Sequence, residues 1–258
     1  MPVSLLNSLV NELESEGISN KHLQFLQALT IFHPSLKLSL PPKGGIDSVI
    51  TALLSQLRHD QPEAGPVYWS HRCWALVYWQ PIYLAVYSVH RHNSWISFKD
   101  FQLGFNGKQT SGFYFSNSNW LKESNVIRIK SNIIQHQALE LKTLLDTFFS
   151  QLSSVIKINT INAWRLVADC ILLVILEFEE FSNEQKIDYS YQWLRALKLY
   201  DKRNTPHSQL KVIHKQKTCY NKKNIDQDKT SQLVLDRKSC CMHFLIDAKN
   251  PCDTCNKY

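Results

Sequence analysis

The sequence predicts a mainly α protein of the α+β class, in which a helical domain carries a short β-hairpin and a small C-terminal segment of different character. Apolar residues recur at helical spacing over most of the first 200 residues. A polar Asn106-Gly107 pair lies between two aromatic-rich stretches, as in a hairpin turn. Glycine is scarce, with 7 in 258 residues, which argues against an architecture of many tight turns.

Three helices are predicted in the first 60 residues. The first covers residues 5–13, where leucines and a valine recur at helical spacing, and it ends at Gly17. The second is capped by Asn20 and ends before Pro34, because the residue before a proline disfavours helical geometry. The third covers residues 46–57.

The middle of the chain predicts a buried helix followed by a hairpin. Residues 68–89 are apolar nearly all round, which is typical of a buried helix, and Pro81 is expected to kink it. Residues 95–98 and 112–115 are the expected arms of a hairpin that turns at Asn106-Gly107.

Helical periodicity then returns before the composition changes. Helices are predicted at residues 133–155 and 162–178, and a capping box at 182–185 predicts a third that runs to about Tyr200. After residue 200 the chain becomes polar and basic, and short strands are predicted at residues 209–213, 232–236 and 243–246.

These changes divide the chain into a helical body at residues 1–200, a basic connection at 201–230 and a C-terminal segment at 231–258. The net charge of +7 favours an anionic partner. No apolar run reaches the ~18 residues that span a bilayer, and the first 20 residues lack the pattern of a signal peptide. We therefore expect a cytoplasmic protein without an integral membrane segment, in which seven cysteines indicate metal or redox chemistry.

Four cysteines lie close together near the end of the sequence. Cys240, Cys241, Cys252 and Cys255 have the spacing C-C-x10-C-x2-C. Structural zinc sites generally use two pairs spaced by two to four residues, which the last two cysteines satisfy and the adjacent first two do not. Neighbouring side chains of an extended segment point apart, so the adjacent pair suits the separated attachment points of a 2Fe–2S cluster better than one tetrahedral ion. Zinc remains the alternative.

The same spacing at the end of a chain resembles the ferric siderophore reductases of the FhuF-like type. The resemblance implies that the four cysteines ligate a 2Fe–2S cluster and that the protein is an oxidoreductase reducing ferric hydroxamate-type siderophores in the bacterial cytoplasm. It is specific over about the last 25 residues. The tract Trp79-Gln80-Pro81 and the helix containing Trp164-Arg165 are also similar in character to this family.

One-electron chemistry would suit such a substrate, because Fe(II) is held far less tightly than Fe(III) by hard oxygen donors. The sequence contains no G-x-G-x-x-G pattern, so we expect the electron to come from a protein donor such as a ferredoxin or a flavoprotein. The basic stretch at residues 202–223 is the candidate docking surface for such a donor. Arg237 and Lys238 are expected to raise the potential of the cluster.

Several residues of the helical body are candidates for binding the siderophore or for packing. Trp79 and Arg165 are the candidate substrate-binding residues. A charge in an apolar helix needs a partner, so Arg72, Arg165 and Arg195 are expected to pair with Asp169 or Glu177 or to contact an anionic ligand. The cysteines of the apolar helices, Cys73 and Cys170, are expected to pack in the core.

Two other functions share these features. A zinc-containing protein that binds nucleic acid or another protein would account for the positive charge and the four cysteines. The basic residues form no recognised reading helix or finger, however, so we expect no nucleic-acid partner. A 2Fe–2S redox sensor would share the cluster and lack turnover with ferric chelates.

Overall fold

The computed structural model describes residues 20–39, 44–107, 110–117, 119–123, 129–216 and 229–247. Within these ranges the protein is mainly helical with short antiparallel strand pairs, which confirms the predicted fold class. The predicted helix at residues 5–13 and the cysteines Cys219, Cys252 and Cys255 lie outside the described residues.

Six α-helices occupy the described part of the body, close to where the apolar periodicity predicted them. They are α1 (Asn20–Phe32), α2 (Ile46–Asp60), α3 (Gly65–His92), α4 (Lys130–Val155), α5 (Thr160–Leu176) and α6 (Asn183–Ala196).

The start of α6 was predicted correctly and its end was not. Ser182 accepts from the backbone N–H of Gln185, whose side chain accepts from the backbone N–H of Ser182, so the capping box is confirmed. The helix ends at Ala196 and does not reach Tyr200. Lys198 adopts a left-handed conformation with φ of 56°, and the N–H of Leu199 bonds back to the Leu194 carbonyl at 2.9 Å. This is a Schellman ending without its usual glycine, so the sequence carried no signal for it.

Helix α3 is the centre of the body and is buried on most of its faces, as its apolar composition predicted. It remains helical through Pro81. It packs against α2, α4 and α5. Trp74, which is fully buried, donates from its indole nitrogen to the Ala163 carbonyl at 3.0 Å and so joins α3 to the first turn of α5.

Four short strands lie between α3 and α4, and they pair differently from the prediction. Strands β2 (Phe101–Phe105) and β3 (Thr110–Phe115) form the hairpin around Asn106-Gly107, whereas β1 (Ser94–Ile96) pairs with β4 (Leu121–Glu123). The expectation that residues 95–98 form an arm of the hairpin was therefore wrong. A tight hairpin turn is flanked directly by its own strands, and a reversal at 98–101 separates β1 from β2.

The C-terminal part is a second hairpin followed by a turn. Strands β5 (Gln209–Gln216) and β6 (Lys229–Asp236) pair antiparallel in register, which confirms the strands predicted at 209–213 and 232–236. The strand predicted at 243–246 was wrong, because His243–Leu245 is a 3-10 turn. It follows Met242, whose left-handed conformation (φ 62°) breaks the extended chain.

One apolar core joins all six helices and the strands. No helix within the described ranges combines the length and the apolar character needed to cross a membrane.

Candidate functional site

Residues 237–241, called here the cysteine-bearing segment, lie against one face of α5. Asn162, Arg165 and Asp169 are spaced by three and then four residues, so their side chains project from the same face of the helix. Each of the three forms a hydrogen bond with the cysteine-bearing segment. The helix therefore acts as a platform along which the segment is aligned.

Asn162 fixes the backbone of Cys240 from both sides. Its side-chain nitrogen donates to the Cys240 carbonyl at 3.1 Å, and its side-chain oxygen accepts from the Cys240 N–H at 3.4 Å. Asn162 is itself in the first turn of α5, which begins at the cap formed by Asn159. Cys240 is thus held beside the N-terminal turn of this helix, where backbone N–H groups favour negative charge.

Asp169 is the anchor of the other end of the segment. Its side chain is 3% exposed and pairs with the Arg237 guanidinium at 3.0 Å. The hydroxyls of Ser208 and Ser239 also donate to it, the first at 2.5 Å. Burial raises the pKa of Asp169, and the hydrogen bonds from Ser208 and Ser239 and the charge of Arg237 oppose that rise. One carboxylate therefore ties α5 both to the segment and to the residue that precedes β5.

Of the two alternatives predicted for the helix arginines, pairing with Asp169 or Glu177 was wrong, and contact with an anionic ligand stays a prediction. Asp169 pairs with Arg237, and Glu177 accepts from the hydroxyl of Tyr83 at 2.6 Å. Arg165 donates to the carbonyl of Lys238 at 3.4 Å. The C-terminal segment supplies the counter-ion because it packs on the face of α5 that carries Asp169.

The two cations before the cysteines are both engaged by the protein. The charge of Arg237 is balanced by Asp169, and the Lys238 ammonium donates to the Pro206 carbonyl at 3.0 Å. Arg237 therefore forms a neutral pair instead of contributing an isolated positive charge. That these residues raise a cluster potential stays a prediction.

The two adjacent cysteines differ in exposure. Cys240 is 8% exposed, and Cys241 is partly buried against the core. The N–H of Met242 points back to the Cys240 sulfur at 3.4 Å, as the left-handed conformation of Met242 allows. An N–H donor to a thiolate sulfur is one of the features that tune an iron–sulfur cluster. The described residues supply two adjacent thiols, of which one accepts a backbone N–H, and within them no three His, Cys, Asp or Glu side chains are grouped so that they could hold a metal ion. A 2Fe–2S cluster on four cysteines stays a prediction because Cys252 and Cys255 lie outside the described residues.

A cavity of about 510 Å³ opens next to the cysteine-bearing segment. It lies between α3, α5, the loop after α1 and the start of β3, and Arg237 and Asp169 form part of its wall. Trp79, predicted to bind substrate, lines this cavity, whereas Arg165 does not. The remaining wall residues are aromatic, basic, small polar or aliphatic: His33, Pro34, Ser35, Lys37, Arg72, Ala75, Leu76, Tyr78, Tyr83, Thr110, Ser111, Leu166, Cys170 and Leu173.

A larger cavity of about 720 Å³ lies between α2, β2 and α4. Its wall is mainly apolar and includes no residue of α5 or of the cysteine-bearing segment. The smaller cavity is the candidate site because its wall includes Arg237 of the cysteine-bearing segment and Asp169, which bonds to that segment.

Cys73 and Cys170 pack in the core, as predicted. Both are buried, and burial raises the pKa of Cys73 to about 12 and raises that of Cys170 as well. Thiols that stay protonated are poor metal ligands, because the thiolate is the form that binds. These two cysteines are therefore distinct from the C-terminal set.

The sequence did not predict the roles of Asn162, Ser208 and Ser239. Asp169 was noticed only as a possible partner for an arginine, although a carboxylate inside the apolar helix α5 is itself a signal of a buried polar network. Its actual partners come from a segment about 70 residues away, and no local pattern announces them.

No family model matches this chain, and no solved structure matches its fold.

Proposed function

We propose that this protein is a ferric siderophore reductase that binds a 2Fe–2S cluster through Cys240, Cys241, Cys252 and Cys255. The observation that carries the proposal is the position of Asp169. This residue lines the 510 Å³ cavity and also bonds to Arg237 and Ser239, which lie three residues and one residue before Cys240. A chelate in the cavity would contact the segment that carries Cys240 and Cys241 at Arg237.

When bound, the 2Fe–2S cluster would supply one electron to Fe(III), giving Fe(II) as the cluster returns to its oxidised form. The chain's own residues hold the reactants in place. Asn162 fixes the backbone of Cys240, and Asp169 fixes the segment that leads to it. Trp79 and its aromatic neighbours provide an apolar wall for the chelate.

The electron would come from a protein donor such as a ferredoxin or a flavoprotein. Cys241 is less buried than Cys240, so the outer side of the pair is the route by which a donor would approach. Lys202 and Arg203 lie exposed on the turn before β5 and would attract an acidic donor. Hydroxamate siderophores and a cytoplasmic location are what the resemblance of the C-terminal motif implies.

The proposal is tested in two stages on the anaerobically purified protein. The visible spectrum is first recorded before and after dithionite, with iron, sulfide and zinc assayed on the same sample. The pre-reduced protein is then mixed with a ferric trihydroxamate in the presence of an Fe(II)-specific chromogenic chelator. We expect about two irons per chain, bleaching on reduction, and one Fe(II) trapped for each electron lost.

Two results would contradict the proposal. A colourless protein with one zinc, which also fails cluster reconstitution, would favour the zinc-containing binding module. An intact, reduced cluster that releases Fe(II) from no ferric chelate would favour the redox sensor.

A further inference from the structure

The cavity beside the cysteine-bearing segment has an aromatic wall. The rings of His33 and Trp79 are 5.1 Å apart between centroids, those of His33 and Tyr83 are also 5.1 Å apart, and those of Trp79 and Tyr83 are 5.7 Å apart. The planes of these rings are inclined to one another by 47°, 70° and 80°, so the rings form an aromatic patch and not one flat face. Such a patch favours aromatic and apolar groups of a ligand and does not determine the charge of the ligand.

The charged residues of the cavity are mostly cations. Lys37, Arg72 and Arg237 line it together with one carboxylate, Asp169. Asp169 pairs with Arg237, so these two charges cancel. The charges that remain on the wall are those of Lys37 and Arg72.

Neither of these two charges is matched by another described residue. Within the described ranges, the side chains of Lys37 and Arg72 make no hydrogen bond or ion pair. Lys37 is partly buried on the loop after α1, and Arg72 is exposed on α3. Glu177, held by Tyr83, is near the aromatic wall but does not line the cavity. A cavity with two unmatched cations raises the local concentration of anions and stabilises them when they bind.

The geometry points to a ferric chelate of net negative charge as the ligand of this cavity, an inference that rests on the proposed function. A full set of hydroxamates neutralises Fe(III), whereas catecholate complexes remain anionic. The two cations attract the anionic complex electrostatically and so strengthen its binding. They do not strengthen binding of the neutral complex in this way. The catecholate rings are also aromatic and could make edge-to-face contacts with the aromatic patch of the wall.

The inference is tested by binding of gallium chelates, because Ga(III) resembles Fe(III) in charge and size but is not reduced. The intact holoprotein is dialysed to equilibrium against the Ga(III) complex of a tris-catecholate, against that of an uncharged cyclic trihydroxamate, and against metal-free citrate. We expect the tris-catecholate complex to bind at least about tenfold more tightly than the trihydroxamate complex. Raising the salt concentration should weaken binding of the tris-catecholate complex and leave binding of the trihydroxamate complex unchanged, since salt screens exposed charges.

Variants test whether Lys37 and Arg72 are the residues that favour the anionic complex. Arg72→Gln and Lys37→Gln should each weaken binding of the tris-catecholate complex roughly threefold to tenfold, as expected for one partly screened charge. Arg72→Lys should keep most of the affinity. Arg58→Gln, which removes an exposed cation of α2 outside the cavity, is the matched control and should leave binding unchanged.

The outcomes separate this inference from the proposed function. Equal binding of the two gallium complexes, no effect of Arg72→Gln and Lys37→Gln, or equally tight binding of metal-free citrate would overturn the assignment of an anionic chelate. Reduction of ferric chelates without regard to charge would leave the proposed function intact and overturn this inference. Charge-selective binding of the gallium complexes without any reduction of the ferric complexes would overturn the proposed function and leave the preference for an anionic chelate intact.

Discussion

The side-chain amide of Asn162 forms two hydrogen bonds with the backbone of Cys240, donating to its carbonyl at 3.1 Å and accepting from its N–H at 3.4 Å. The two residues are 78 positions apart in the chain. A predicted cluster ligand is thereby fixed to the first turn of α5 by its main chain, and its thiol takes no part in these two bonds.

Replacing Asn162 should loosen Cys240 without unfolding the body. Asn162→Ala removes both hydrogen bonds and should lower the free energy of unfolding by about 1–2 kcal/mol, at roughly 1 kcal/mol for each bond lost. Iron should also be lost to a chelator several times faster than from the wild type. The rate is measured by the decay of visible absorption in excess EDTA.

Asn159→Ala is the matched control. It removes the cap of α5, at about 1 kcal/mol, without touching Cys240. Equally fast iron loss in both variants would mean that the stability of α5, and not the hydrogen bonds of Asn162 to Cys240, is what slows the loss of iron.

The pair Asp169–Arg237 should be among the strongest single contributions to stability in the described part of the chain. The two side chains are 3% and 12% exposed, and removing one partner of such a pair leaves a poorly solvated charge. We expect Asp169→Asn to lower the free energy of unfolding by about 3–5 kcal/mol. Urea denaturation of wild type and variant, both in the same metal state, measures the difference.

Asp236→Asn is the comparison for this prediction. Asp236 pairs with Lys211 at 2.7 Å, but the two side chains are 31% and 53% exposed, and a pair of this kind contributes about 0–1 kcal/mol. Equal losses in the two variants would show that burial of Asp169 is not what makes its pair important.

The sequence predicted local features well and distant ones poorly, for a physical reason. The capping box of α6 and the turn at Asn106-Gly107 depend on residues within a few positions of one another, so their pattern is visible in the sequence. The bonds of Asp169 to Arg237 and Ser239 depend on how two distant segments pack. The sequence therefore indicated the C-terminal cysteines as a motif, while the helix face that holds Cys240 became evident only from the fold.

The four C-terminal cysteines should be required for the cluster, and the core cysteines should not. Cys240→Ala, Cys241→Ala, Cys252→Ala and Cys255→Ala are each expected to abolish the visible absorption and to reduce iron from about two per chain to well under one. Cys73→Ala and Cys170→Ala change buried thiols of the body and should keep the spectrum. A variant of the first group that retains a full cluster would remove that cysteine from the ligand set.

His90 should make the protein less stable in acid. It is buried, its Nε2 accepts from the Trp193 indole N–H at 2.9 Å, and burial lowers its pKa from 6.5 to about 3. Between pH 6.5 and about pH 3 this histidine is protonated in the unfolded chain and neutral in the folded chain. The free energy of unfolding therefore decreases as the pH falls below 6.5. The contribution of His90 approaches about 1.4 kcal/mol for each pH unit.

His90→Gln isolates this contribution, because an amide oxygen can accept from Trp193 but does not titrate. The free energy of unfolding is measured by urea denaturation at several pH values between 7 and 4.5 for the apoproteins. The wild type should show the steeper fall, and parallel curves would show that His90 takes no part in the acid sensitivity.

Trp79 should contribute to chelate binding through its indole ring. Trp79→Leu opens the three-ring wall formed with His33 and Tyr83 and should weaken binding of a gallium siderophore complex roughly tenfold, as expected for loss of an aromatic contact of about 1.4 kcal/mol. Trp69→Leu removes a tryptophan of the same helix that lies outside the cavity, where it bonds to the Gln61 carbonyl, and should leave binding unchanged. Equilibrium dialysis is the suitable measurement, because removing a tryptophan would itself alter a fluorescence signal. If the two variants bound the complex equally well, the aromatic wall would be part of the core packing of α3 and the chelate would have to lie elsewhere in the cavity.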